Sequence, residues 1–167
     1  LQAFESIYSI MASINFSFSM SEIALVITVS GILALFFQLF LFDAIVNKIG
    51  ELGLIQLTFF ASAIFIAVIA FTKSNLVVAL STFVVFLAFD LFRPAVTTYL
   101  SKHAGNRQGA INGLNSAFTS FGNILGPMAA GYMFDLNHLF PYYISAIILL
   151  GTGFLSLFLN RKNFSKI

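Results

Sequence analysis

Apolar residues run through this chain in long blocks, separated by short clusters of Ser, Asn, Asp, Gly and charged residues. Five blocks, at about 23–41, 52–71, 76–100, 110–134 and 142–159, are long enough to cross hydrocarbon about 30 Å thick at about 1.5 Å per helical residue. A sixth, at about 1–14, is shorter than the roughly 20 residues a crossing needs. It has neither the basic flank nor the small-residue cleavage pattern of a signal peptide, and it reads as a helix whose first part has been cut away. The breaks at 15–22, 42–51, 72–75, 101–109 and 135–141 have the polar, Gly, Asn and Pro content of turns. Residues 1–167 are therefore expected to form one six-helix transmembrane bundle.

Composition agrees with that pattern. Hydrophobic residues make up 59% of the chain and charged residues 8%, with a mean hydropathy of +0.98; a soluble domain carries about a quarter charged residues. An all-α integral membrane protein is the expected class, because only helices and closed barrels satisfy their backbone polar groups in lipid. Cysteine is absent, which removes disulfides and thiolate chemistry. His103 and His138 fall in separate connections, so no metal site, cofactor or nucleophile–base arrangement is expected, and the chain does not read as an enzyme. A net charge of +2 gives no reason to expect a nucleic-acid partner. The distribution of charge matters more. Lys48, Lys102, Arg107, Arg161, Lys162 and Lys166 fall on one side of the bilayer and Lys73 alone on the other. The positive-inside rule then gives a multi-pass cell-membrane protein with its C-terminus in the cytoplasm.

Charges inside the spans are the sharpest functional signal. Asp90 and Arg93 lie three residues apart in the 76–100 block, on one helix face. A charged residue at mid-bilayer costs about 2.5–3.5 kcal/mol on insertion scales, so such residues face a protein interior or a wet cavity. Burial and a nearby guanidinium pull a carboxyl's proton affinity in opposite directions, so a movement that changes the gap between Asp90 and Arg93 is a way to bind or release a proton. The bland alternatives are a structural ion pair or snorkelling to the interface. Glu5 is a first-turn acid if the helix begins at residue 1, and an acid deep in the bilayer if the helix is truncated. Glu5 and Asp90 lie in the first and fourth helices, the corresponding members if the six helices form two three-helix repeats, where transporters commonly place coupling groups.

Around these acids, Phe4, Tyr8, Phe86, Phe89 and Phe92 either pack or wall a site for a lipophilic cation. The fifth helix carries Gly122, Gly126, Pro127 and Gly131, a small-residue face suited to close helix packing. On the same helix Asn112, Asn115 and Asn123 either bond a neighbouring helix or line a cavity.

The stretch FVVFLAFDLFRPAVTTYLSKHAGNRQGAINGLNSAFTSFGNILGPMAAGYMFDL resembles the tenth and eleventh helices of major facilitator multidrug:proton antiporters, and LQAFESIYSI resembles their seventh. FDLFRPA and GLNSAFTSFGNILGP carry the likeness, whereas FDAIVNKIG is a degenerate facilitator loop without the usual paired basic residues. The resemblance implies a six-helix C-terminal half of a major facilitator fold, made of two inverted three-helix repeats, with the N-terminal half absent. It also implies that Glu5 and Asp90 couple drug export to proton entry, that Arg93 modulates Asp90, and that Phe86, Asn115 and Asn123 face the drug cavity. The expected partners are the lipid bilayer, the N-terminal six-helix half, protons, and small amphiphilic or cationic drugs. Two alternatives stand beside this reading: a proton-coupled symporter for a small metabolite, and a non-transporting membrane scaffold.

Overall fold

The computed structural model describes residues 2–164. Lys166, one of the charges that set the orientation above, lies outside the described residues, as does Leu1. Six long helices follow one another: α1 (Gln2–Phe16), α2 (Met20–Phe36), α3 (Phe42–Phe71), α4 (Asn75–His103), α5 (Gln108–Leu136) and α6 (Phe140–Phe164). A wide π-helical turn, Phe37–Leu41, runs α2 into α3, and a single 3₁₀ turn, Gly105–Arg107, joins α4 to α5.

Local chemistry sets the boundaries. At the end of α1, Ser17 takes a left-handed φ of 56°, and the Phe18 N–H donates back to the Ala12 carbonyl at 3.1 Å, closing the helix C-terminus. Ser19 then caps α2. Its Oγ accepts from the Glu22 N–H at 3.3 Å while the Glu22 carboxylate accepts from the Ser19 N–H at 2.8 Å, a reciprocal capping box. The stretch expected as the 42–51 turn is instead helical up to Gly50. There the chain breaks at φ 74°, ψ 164°, a conformation that only glycine adopts without strain. The amphipathic segment before Gly50 therefore lies apart from the apolar crossing that follows it.

Among the described residues, three helical stretches are long and apolar enough to cross a membrane: Met20–Phe71, which Gly50 divides in two, Asn75–His103 and Phe140–Phe158. In α5 the apolar content is diluted by amide, hydroxyl and glycine residues on one face.

Packing follows helical spacing. Phe4, Tyr8 and Met11 of α1 meet Ala63, Ile66 and Ile69 of α3, Val78, Val85 and Phe89 of α4, and Tyr142, Ala146 and Leu149 of α6 in one core. A smaller cluster, Leu54, Ile55 and Ala95, lies where the later part of α3 begins, next to Phe92 and Tyr99. In α5 only Ala130 and Phe134 are buried. Phe118, Phe121 and Ile124 stand exposed there, as do Leu25, Ile32 and Phe36 on α2. In a bilayer such apolar side chains meet lipid or another helical surface rather than water.

The helix connections collect at two ends. At one, Glu51 accepts a hydrogen bond from Lys102, clamping α3 to the end of α4. At the other, the Asn75 amide donates to the Phe16 carbonyl at 3.1 Å, tying α4 to α1.

Candidate functional site: an ion pair beside a polar cleft

Phe4 fixes how α1 meets α4. Its ring contacts Phe86 and Phe89 edge-on, each at 5.9 Å between centroids, and Tyr142 of α6 at 5.5 Å. With Phe4 seated there, the next residue, Glu5, comes opposite Arg93, one turn beyond Phe89. The Arg93 Nη2 donates to the Glu5 Oε1 at 2.8 Å. Proximity on one helix suggested that Arg93 would answer to Asp90. Helix packing instead gives its hydrogen bond to the carboxylate of another helix. Asp90 is half-buried and within electrostatic reach of both Arg93 and Glu5. One acid thus bonds the guanidinium across α1 and α4, and the second acid lies near without bonding it.

Pro94 adds a feature at the same place. It has no N–H to donate to the residue four before it, and that residue is Asp90. Pro127 does the same to Asn123 on α5. Both an acid and an amide expected at the site thus have a main-chain carbonyl released from the helix ladder, a polar acceptor that lipid cannot satisfy.

Beside the ion pair lies a cleft of about 730 Å³ between α1, α4 and α5. Arg93, Asn115 and Asn123 line it, together with Gly122 and Gly126. Gln2, Thr97, Ser116, Thr119 and Ser120 also line it and were not singled out from the sequence. The signal was present: the polar and small residues of α5 recur every three or four positions from Asn112 to Gly126, tracing one face. Thr119 and Thr97 donate to carbonyls of their own helices, Asn115 at 2.8 Å and Arg93 at 3.1 Å, so their hydroxyls offer the cleft acceptors.

Phe92 also lines the cleft, and the other expected aromatic residues fall elsewhere. Phe4 and Tyr8 are buried in the core, and Phe86 is partly exposed and packs edge-on against both rings, with 5.4 Å between the centroids of Tyr8 and Phe86. None of the three lines the cleft. Asn112 reaches Ser101 of α4 at 3.5 Å, the inter-helix option for that amide. Of the glycine face, Gly126 is the close-packing position: a Cβ there would stand 3.2 Å from the Ala3 backbone nitrogen. At Gly122 and Gly131 a Cβ would meet nothing within 4 Å. A tight contact that the sequence did not signal is Gly153 of α6, whose Cβ would stand 3.1 Å from the ring of Phe60.

The sequence matches the Major Facilitator Superfamily over residues 2–166. The chain belongs to that superfamily. Among curated proteins it is 42% identical over 164 residues to multidrug resistance protein 2 of Bacillus subtilis, covering 98% of this chain and 41% of that protein. It is 40% identical over 149 residues to multidrug resistance protein 1 of the same organism, covering 89% of the chain and 38% of the relative. It is 39% identical over 145 residues to quinolone resistance protein NorA of Staphylococcus aureus, covering 87% and 37%. The chain thus spans about two fifths of the length of the curated relatives it matches. Membership of a membrane-protein superfamily accounts for the apolar helices, whose exposed side chains face lipid or other helices.

Proposed function

We propose that this chain is the C-terminal six-helix half of a proton-coupled multidrug efflux transporter, oriented with its C-terminus in the cytoplasm. The observation that carries the reading is the Glu5–Arg93 bond across α1 and α4, with Asp90 close by, on the flank of a polar cleft. The N-terminal half closes the open side of that cleft. Asn115 and Asn123 supply hydrogen bonds to an amphiphilic or cationic drug, and Phe86, backed by Phe4 and Tyr8, supplies an apolar edge. Gly126 holds α5 against α1 while the two halves rock.

In this mechanism a proton from outside reaches Glu5 and removes the negative partner of Arg93. The freed guanidinium turns to Asp90, the drug's cationic group loses its counter-charge, and drug leaves as the proton continues inward. Each charge moved inward through the full potential yields about 2.3 kcal/mol per 100 mV. The multidrug and quinolone resistance relatives support the substrate class.

The test is dye efflux driven by an imposed pH gradient, with this chain joined to its N-terminal half, comparing wild type with Glu5→Gln and Asp90→Asn at matched expression. Loss of gradient-driven efflux in both variants, with folding intact, supports the reading. Unimpaired efflux makes the acids structural. Inward accumulation of a polar solute by the wild type would favour a symporter instead.

A further inference from the structure

The end of the bundle where α1–α2, α3–α4 and α5–α6 connect holds a second cavity, of about 720 Å³, that the transport reading does not use. Lys73, from the α3–α4 connection, and Asp135, from the end of α5, both line it. Neither forms an ion pair or a hydrogen bond among the described residues. Opposite charges that share a cavity without meeting one another present two poles. Asn137 and His138 line the same cavity, the latter held flat on Phe134 with 4.6 Å between ring centroids. The Asn137 side-chain oxygen already accepts from the Leu139 N–H at 2.9 Å, which leaves its NH₂ group to donate to a ligand.

This cavity does not stand alone. Phe71 and Thr72 line it and also line a second depression, an apolar groove of about 550 Å³ that descends between α3 and α6 past Val68, Ala67 and Ala63 to Leu150. Neither α3 nor α6 contributes to the polar cleft, so the groove lies apart from the transport path. Small residues at positions 63 and 67 make its floor, and Phe71, 76% exposed, stands at the junction with the polar cavity. A polar pocket with both charges at the end of the helices, continuous with an apolar channel along them, has the layout of one molecule: a zwitterionic head on a hydrocarbon tail.

The geometry points to a phospholipid site of the outer leaflet, in which Lys73 and the Asn137 amide hold the phosphate, Asp135 accepts hydrogen bonds from a primary ammonium, and one acyl chain lies in the α3–α6 groove. The charges decide among headgroups. An anionic glycerol headgroup would satisfy Lys73 but offer Asp135 only neutral hydroxyl donors and no positive charge. A choline headgroup carries the positive pole but has no N–H to donate. An ethanolamine headgroup meets both poles, and charge-assisted hydrogen bonds of this kind are the stronger ones. The site rests on the membrane setting of the family and its outer-leaflet placement on the proposed orientation; both are independent of proton coupling.

The experiment is native mass spectrometry of the protein released from nanodiscs containing equal parts of phosphatidylethanolamine, phosphatidylcholine and phosphatidylglycerol, counting the lipid that stays bound. The expected result is preferential retention of phosphatidylethanolamine. Lys73→Gln lowers its retention about tenfold, and Asp135→Asn removes the preference over phosphatidylcholine. Both positions are exposed, and the melting temperature checks that the variants stay folded. Ala67→Phe, which fills the groove, lowers retention of all three lipids without changing their order. Equal retention of the three lipids, a preference for phosphatidylglycerol, or unchanged retention in the Lys73 and Asp135 variants overturns the assignment.

Discussion

Glu5–Arg93 joins α1 to α4 beside the polar cleft, and Glu51–Lys102 joins α3 to the far end of α4 where the connections gather. By exposure the two pairs look alike: the cation stands out, at 56% and 61%, and the acid is sheltered, at 22% and 13%. Their surroundings separate them. Glu5 follows Phe4, which packs on Phe89 one turn before Arg93, and a second carboxyl, Asp90, is in electrostatic reach. Glu51 lies at the Gly50 break, in the 42–51 connection between crossings, where water and lipid headgroups can solvate either partner. A pair in the first setting is costly to open and has somewhere else to go, because Arg93 has two acids to choose from. In the second setting Lys102 pairs with Glu51 alone among the described residues, and opening the pair costs little. Only the first arrangement has the second acid that the proposed switch requires.

The largest expected effect comes from breaking the switch. Arg93→Ala leaves two carboxyls in one membrane neighbourhood with no cation, and gradient-driven dye efflux is expected to fall by at least about tenfold in proteoliposomes. Arg93→Lys keeps the charge but loses the planar fork, so partial activity is expected. Full activity of Arg93→Ala would remove the distinction between the two pairs.

Next comes the seam on which the switch rests. Gly126→Leu drives a side chain into the α1 backbone at Ala3 and should destabilise the bundle by about 1–3 kcal/mol, read as a lower melting temperature. Gly122→Ala, four residues away, meets nothing within 4 Å and should be neutral or slightly stabilising, since alanine favours a helix over glycine. Equal losses at the two positions would mean that α5 does not meet α1 as described.

A smaller effect is expected at the clamp. Glu51→Gln removes an exposed pair worth about 0.2–1 kcal/mol, and efflux should stay within about twofold of wild type. Its pH signature is the sharper readout. The hydrogen bond from Lys102 holds the Glu51 carboxyl below its ordinary value. A depressed folded-state value contributes stability above the ordinary carboxylate range, and that stability is lost as pH falls through the lowered value. Glu51→Gln should therefore flatten the acid side of the stability profile of the protein in detergent. An unchanged acid limb would show that the clamp contributes nothing.

How much of this was legible in the residues differs from place to place. FDLFRPA and the polar face of α5 announced Asp90, Arg93, Asn115 and Asn123, because a charge or an amide inside an apolar run stands out against its neighbours. The partner of Arg93 did not show, since a three-residue spacing suggests a pair within one helix and contains no information on the register between helices. Nor did the burial of Phe4 and Tyr8: an aromatic next to an acid reads the same whether it lines a cavity or fills a core.

Sequence by itself determined the helices and their membrane setting, because apolar block length and the positions of Gly50, Ser17 and Pro94 act locally, through hydrocarbon thickness and backbone geometry. Tertiary structure decided which glycine is a contact and which is open space, which acid holds Arg93, and which polar residues share the cleft. Those are distances between helices that are far apart in the chain. They arise from how side chains of different helices interlock, here Phe4 against Phe86, Phe89 and Tyr142, and no single helix carries them.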